Sequence, residues 1–400
     1  MISTNQELNK YKDSVFDEIP YEWKIEKLGE NSSLKARIGW QGLTTSEYLN
    51  NGDYYLVTGT DFKNGKIFWA GCHFVSKSRF DQDINIQIRD QDILVTKDGT
   101  IGKVAIIDNF KKRGTLNSGV FVIRPLNKAY VPLYMYYVLL SKVFTNFLDK
   151  LAAGSTISHL YQKDFVSFKF LIPPTDEQKQ IATVLSDTDK LIESLEKLID
   201  KKKNIKQGTM QQLLTGKKRL EGYTKSWINI NIGDYCSVTT GKLDANAMNN
   251  SGKYRFYTCA KEYYYIDTYA FDTEALLVSG NGANVGYIHY YQGKFNAYQR
   301  TYVLTNFSQD IMFIKYKMDI ALKRRIEKEV NAGNTPYIKM DTLTKMSITI
   351  PVDLDEQKAI AKILSNMDNE IEALEKKLEK YKQIKQGMMQ ELLTGRIRLV

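Results

Sequence analysis

The chain has 400 residues, enough for two or three domains with real cores, and its 43% hydrophobic and 26% charged content is that of an ordinary soluble globular protein. Fifty-six basic against 46 acidic residues leave a formal charge of +10, which admits a polyanionic partner without demonstrating one. Three cysteines without C-x-x-C spacing and three scattered histidines exclude a disulfide framework and a zinc centre; no apolar run approaches a membrane span and the polar start lacks a signal-peptide core, so a cytoplasmic protein is expected.

In chain order, residues 1–174 read as a first globular segment of mixed α/β character. Trp23 to Glu30, with Leu28-Gly29, stands near its start. Ile93 to Thr96 is an apolar strand, Lys97-Asp98-Gly99 a turn, and Val104 to Ile107 a second strand. A helical stretch around 131–151 follows, then the polar run from Ala153 to His159 and a strand ending at Ile172-Pro173. The 26 Tyr and 17 Phe of the whole chain are read mainly as strand cores.

Residues 175–216 form the first long helix. Leu185, Thr188, Ile192, Leu195, Ile199 and Lys202 alternate spacings of three and four, the a/d seam of a short coiled coil. Thr175 and Gln178 have capping-box spacing, and Gly216 stands where the helix ends. Gly208, inside the helical pattern, suggests a kink or a close contact.

Residues 217–352 are a second mixed segment that echoes the first. Trp227 to Asp234 parallels Trp23 to Glu30, Leu276 to Gly286 the strand and glycine-rich turn, and Ala332 to Tyr337 the polar run. Gly280 to Gly286 has the wrong spacing for a dinucleotide fingerprint and reads as an inter-strand turn. A helix around 309–330 and a strand ending at Ile350-Pro351 lead into the second long helix, 353–400.

That helix repeats the first. Residues 176–220 return as 355–399, at an offset of 179, with 28 of 45 positions identical. Its seam is Leu364, Met367, Ile371, Leu374, Leu378 and Tyr381, and Gly387 and Gly395 repeat Gly208 and Gly216. Residues 176–196 carry −4 and 197–220 carry +7; 355–375 carry −4 and 376–399 carry +5. A parallel pair would stack like charge on like, so the polarity selects an antiparallel pair. The expected fold is therefore α+β, or mixed: two α/β domains separated by two long helices in an antiparallel coiled coil, with pseudo-two-fold symmetry. Strong identity in the helices against weak identity in the domains implies one shared job and two diverged ligands.

No phosphate loop, H-E-x-x-H or G-x-S-x-G motif occurs, and no acidic cluster resembles a metal-dependent nuclease, so the chain reads as a binder rather than a catalyst. The two D-E-Q-K…K-Q-G…M-Q-[QE]-L-L-T-G segments, Asp176–Gly216 and Asp355–Gly395, together with Pro20–Trp23 and the Ile172-Pro173 and Ile350-Pro351 strand ends, resemble the specificity subunits of type I restriction–modification systems. The second domain departs from the P-x-x-W start, having Thr224-Lys225-Ser226-Trp227. The resemblance implies two target recognition domains, each reading half of a split sequence in double-stranded DNA. It also implies two methyltransferase subunits docked on the helices and translocase–nuclease restriction subunits, with AdoMet and ATP bound by those partners and neither by this chain. A stand-alone DNA methyltransferase or nuclease, and a coiled-coil adaptor between proteins, are the rival classes.

Within such a protein, loop residues that combine polarity with glycine flexibility are the expected DNA contacts. In the first domain these are Arg37, Trp40, Gln41, Lys97, Asp98, Thr100, Thr156 and His159. In the second they are Thr240, Lys242, Asn281, Asn284, Arg300, Asn334 and Tyr337. Arg37 and Arg300 have the chemistry of guanine readers. The lysine runs 201–203 and 376–377 read as solvated or partner-facing helix surface.

Overall fold

The computed structural model describes residues 19–152, 159–329 and 336–399. It divides into two compact units, one formed by the residues up to Leu195 with those from Lys377 onward, the other by Glu196–Lys376. The principal elements of the first are β1 (Lys24–Lys27), β2 (Ser32–Ala36), β3 (Tyr54–Val57), β4 (His73–Val75), β5 (Ile93–Thr96), β6 (Val104–Ile106), β7 (Arg113–Leu116), β8 (Val120–Pro125), α1 (Pro132–Leu140), α2 (Lys142–Ala152) and β9 (Lys169–Ile172). The 39-residue helix α3 (Thr175–Leu213) leads out of it. The second contains β10 (Trp227–Asn231), β11 (Ser237–Thr240), β12 (Tyr254–Tyr257), β13 (Tyr264–Ile266), β14 (Phe271–Ser279), β15 (Ile288–Ala297), β16 (Thr301–Thr305), α4 (Ile311–Glu329), β17 (Ser347–Pro351) and the start of the 39-residue α5 (Leu354–Leu392).

In the first domain β2, β8, β5 and β6 form an antiparallel sheet in that order, and β4, β3 and β7 a second in which β3 and β7 run parallel. All four residues of β5 are buried, which is why it reads as an unbroken apolar run instead of an alternating one. In the second domain one sheet takes the order β11, β16, β14, β15, β12, β13, with β12 and β15 parallel. The glycine-rich segment after Ser279 is indeed the connection between β14 and β15.

Each domain is closed by the same two-stranded clasp, β1 on β9 (Lys24 opposite Ile172) and β10 on β17 (Trp227 opposite Pro351). The chain then passes so close to a neighbouring segment that a Cβ on Gly29 would lie 2.7 Å from Val166 Cβ, and one on Gly233 2.8 Å from Thr344 Cβ. The glycine in both echoed motifs is thus a requirement of close backbone approach.

The long helices meet antiparallel within each unit. In the first, α3 and α5 run in opposite senses through Asp189–Lys385 (2.6 Å) and Glu177–Arg398 (2.7 Å). In the second they do so through Lys203–Glu375 (2.7 Å) and Lys206–Asp368 (2.5 Å). Leu185, Leu195, Ile199, Leu364 and Ile371 of the seam are buried, and Ile192, Met367, Leu374, Leu378 and Tyr381 half-buried. Acidic helix starts lie against basic helix ends, as the charge pattern requires.

The repeated Asp-Glu-Gln-Lys motif explains itself here. Arg398, past the end of α5, donates from Nε and Nη2 to Glu177 at 2.7 and 2.9 Å; Arg219, past the end of α3, does the same to Glu356 at 2.5 and 2.6 Å. Both glutamates are buried. Gln178 accepts from Val131 N, ahead of α1, and donates to Pro173 O; Gln357 accepts from Asp310 N, ahead of α4, and donates to Pro351 O. The expected capping box is therefore not formed: the amide of Gln178 is spent tying the domain helix to the clasp. A second repeated tie joins Tyr137, Asp189 and Lys385, and likewise Tyr316, Asp368 and Lys206, each phenol donating to the carboxylate (2.9 and 2.7 Å) that also holds the lysine. Burial raises both phenol pKa values.

The two nodes differ in one respect. Glu177 also accepts from Trp23 Nε1 at 3.0 Å and Leu399 N at 3.2 Å, whereas Trp227 Nε1 is buried with no hydrogen-bond partner among the described residues. Removing one member of a buried ion pair costs about 3–5 kcal/mol. Arg219→Ala is therefore expected to lose an amount in that range and Arg398→Ala less, because Glu177 keeps two donors; urea unfolding followed by tryptophan fluorescence measures the order, and the reverse order refutes it. Gly208 and Gly387 lie in unbroken helix, and a Cβ at either would meet nothing within 4 Å, so neither the kink nor a close contact within the chain is present. Gly208→Ala and Gly387→Ala should each raise stability by about 1 kcal/mol, seen as a higher thermal midpoint; a lowered midpoint contradicts this.

Candidate nucleic-acid interface

Each domain carries one cluster of polar loops, assembled from segments far apart in sequence. In the first, β5 delivers Lys97 and Asp98 to the turn at Gly99, whose φ of 67° favours glycine. Thr96 Oγ1 clamps that turn by donating to Thr100 O at 2.6 Å and accepting from Lys103 N at 2.9 Å. The segment carrying His159 then crosses it: Leu160 N donates to Lys97 O at 2.8 Å, residues 98 and 159 form an isolated antiparallel bridge, and the His159 imidazole is hydrogen-bonded through Nδ1 to Asp98. Tyr161, exposed, packs against His159 with ring centroids 4.6 Å apart and the planes tilted by 55°. Lys97, Asp98, Thr100 and His159 are thus brought together.

Arg37 and Gln41 are not. Both are buried. The Arg37 guanidinium donates to Leu116 O (2.8 Å), Thr115 Oγ1 (3.1 Å) and Gln82 Oε1 (3.2 Å), and burial, with Arg79 nearby, lowers its pKa. It is an internal strut, and the guanine-reading assignment for it is withdrawn. Gln41 packs inside with Oε1 lacking a partner among the described residues. The side chain of Trp40, and Thr156, lie outside the described residues.

The second domain repeats the framework with other side chains. Ile338 N donates to Gly280 O, Gly282 N to Pro336 O, and residues 281 and 337 form the bridge that residues 98 and 159 form in the first domain. Gly280 N donates to Arg300 O, Cys259 Sγ lies 3.4 Å from the same carbonyl, and Asn284 Nδ2 donates to Cys259 O at 3.1 Å. Thr240 pairs with Tyr302, and Gly241 beyond it donates to Thr301 O, setting exposed Lys242 beside this group. Thr240, Lys242, Asn281, Asn284, Arg300 and Tyr337 therefore gather at one end of the sheet, with Arg300 and Tyr337 exposed. Asn334 lies outside the described residues.

Reading the sequence missed the aromatic surroundings of this face. Tyr263, Tyr265 and Tyr287 are exposed, not core. The signal available was an arginine set among tyrosines in Tyr254-Arg255-Phe256-Tyr257 and the run Tyr263-Tyr264-Tyr265. Four apolar residues of α3 also stay exposed at seven-residue spacing, Val184, Leu191, Leu198 and Ile205, a stripe beside the seam. The lysine runs are not uniformly solvated: Lys202 and Lys203 pair with Glu370 and Glu375 of the other long helix, whereas Lys376 pairs with Glu372 of its own. No group of three or more His, Cys, Asp or Glu side chains among the described residues could hold a metal, and no helix there is long and apolar enough to cross a membrane.

Comparison with known proteins agrees with this architecture. The family model for the type I restriction modification DNA specificity domain matches twice, over residues 20–206 and 224–386. The chain is 28% identical over 434 residues of alignment to the type I restriction enzyme MjaVIII specificity subunit of Methanocaldococcus jannaschii, covering 97% of each chain. It is 37% identical over 168 residues to the EcoDI specificity subunit of Escherichia coli, covering 42% of this chain but only 37% of that one. The crystal structure of the S subunit of a type I restriction–modification system from M. genitalium shares the fold at a TM-score of 0.67, with 18% identity over 93% of this chain and 96% of that one. Two copies of the family domain in one polypeptide, joined to paired repeat helices, place this chain in the family of type I restriction–modification specificity subunits.

Proposed function

We propose that the chain is the DNA-reading subunit of a type I restriction–modification complex, without catalytic chemistry of its own. Each domain takes one half of a bipartite target in double-stranded DNA. The observation that carries this reading is the repeated loop framework: the same bridge supports Asp98 and His159 in one domain and Asn281 and Tyr337 in the other. A constant scaffold bearing different donors and acceptors is what two different half-sites require, since base edges are told apart by their hydrogen-bonding pattern. Lys97 and Lys242 supply positive charge beside those groups, suited to phosphates, so affinity should fall steeply with salt, while exposed Arg300 keeps the chemistry of a guanine reader.

In this reading the helix pair sets the spacing between half-sites and docks two methyltransferase subunits, which carry AdoMet; restriction subunits, where they join, carry ATP. Each helix of 39 residues is about 58 Å long at ~1.5 Å per residue. Matched four-residue insertions in both helices, within 190–206 of α3 and its partner stretch in α5, add about one turn and ~6 Å while turning the seam by only about 40°. Mapping of methylated adenines in cells that express the variant with its methyltransferase is expected to show both half-sites unchanged and the spacer longer by about two base pairs. An unaltered spacer refutes the ruler.

The exposed stripe on α3 is the surface offered to a methyltransferase subunit, because solvent-facing apolar residues at heptad spacing seek another helix. Leu191→Glu with Leu198→Glu should weaken co-purification of the methyltransferase at least tenfold while leaving the circular dichroism of the chain unchanged. Retained association would move the docking surface elsewhere.

A further inference from the structure

The first domain places β3 between an antiparallel neighbour, β4, and a parallel one, β7, with Tyr55 opposite Phe74 and Gly114. The second domain places β12 between antiparallel β13 and parallel β15, with Arg255 opposite Tyr265 and Phe295. Tyr55 and Arg255 hold the same position in the same local topology. Tyr55 is wrapped by Trp69 and Phe74 and accepts from Lys112 Nζ at 2.6 Å. Arg255 instead lies between two ring faces, its Cζ 4.2 Å from the Tyr263 centroid and 4.5 Å from that of Tyr291. Arg124, Arg219 and Arg398 are each met by a carboxylate, Asp92, Glu356 and Glu177, and the buried strut Arg37 by a carbonyl, a hydroxyl and an amide oxygen, so each of these guanidiniums has its donors taken up by protein acceptors. Arg255 has no carboxylate partner among the described residues, and its one hydrogen bond is from Nη1 to Tyr257 Oη at 3.3 Å. Ring faces fix the plane of a guanidinium without consuming its N–H donors.

The clamp is continuous with the polar loops. The Tyr257 ring lies 5.0 Å from that of His289, which lies 4.8 Å from Tyr287, next to the Asn281–Asn284 turn. The backbone after β12 is tied to that turn as well, through Asn284 and Cys259, and His289 is hydrogen-bonded to Ala260 O. Tyr263, Tyr265 and Tyr287 border it on the exposed side.

We infer that Arg255 is a specificity-determining residue of the second domain, reading a guanine through its O6 and N7 edge, with Tyr263 and Tyr291 as positioning residues that hold the guanidinium in plane. This rests on the DNA-reading function proposed above. A flat guanidinium with two parallel donors free matches that edge in a way a lysine cannot. The first domain, with Tyr55 in the equivalent place, reads a different base there, which is what a split target with unlike halves demands.

The complex of the full chain with its methyltransferase subunits, incubated with a duplex library randomised across both half-sites and the spacer, tests this by sequencing the methylated molecules. The wild type is expected to return a bipartite motif. Arg255→Lys, which keeps the charge and the stem, and Arg255→Ala should both lose discrimination at one guanine of one half-site by on the order of ten- to a hundredfold, with the other half-site intact. Tyr263→Leu, removing one face of the clamp, should loosen the same position less. An unchanged motif in Arg255→Lys overturns the assignment, as does a uniform loss across all sequences, which marks a phosphate contact. A wild-type complex that returns no motif removes the DNA-reading function itself, and the assignment with it.

Discussion

An arginine beyond the end of each long helix closes on a buried glutamate at the start of the other, Arg398 on Glu177 and Arg219 on Glu356, and the remaining architecture follows from this reciprocity. Such a pair adds little net stability, because desolvating two charges offsets most of their attraction. Its force lies in what it forbids. A parallel arrangement, or a slip of the helices by a turn, would leave each glutamate in a dry site without its cation. The Tyr–Asp–Lys ties add the same demand further along each helix, and their members repeat at the 179-residue offset with lysine supplied by the opposite helix. A polar register lock of this kind selects one pairing out of many that the apolar seam alone would tolerate.

The glutamine beside each glutamate extends the constraint into the domains. Gln178 and Gln357 reach the first residues of the domain helix and the proline that ends the clasp strand. Helix pair, clasp and domain helix are thus joined at one point in each unit, which gives a rigid base for loops built at the other side of the sheets. The base is the same in both units because its residues are nearly the same. What stands on it is not: an acid and an imidazole in one domain, amides, tyrosines and arginines in the other. That contrast separates a shared base from loops that differ between the domains.

The helices and their polarity were legible because their determinants are local: seam spacing, charge segregation and the return of a 45-residue motif, 28 positions identical, at one offset. The loops at 97–100 and 280–286 were legible for the same reason, since glycines between apolar strands announce a turn wherever they occur. Arg37 misled because a basic residue next to glycines resembles a surface loop, and only the fold reveals Leu116 O, Thr115 and Gln82 waiting for it inside. Gln178 misled because its spacing from Thr175 suits a cap, while its true partners lie 47 residues upstream and at the clasp. Arg255 stands among tyrosines in the sequence, but its clamp draws Tyr263 and Tyr291 from different strands and connections, so the grouping is visible only in the fold.

Amino-acid order by itself determined that this chain is a duplicated object with two like helices running opposite ways and two unlike domains. That information sits in periodicity and net charge, which act between near neighbours and survive without a partner in space. Only the tertiary structure decided which polar side chains are struts and which are presented outward. Burial and hydrogen-bond pairing across tens of residues make that choice, and a dry acceptor claims an arginine regardless of the sequence around it.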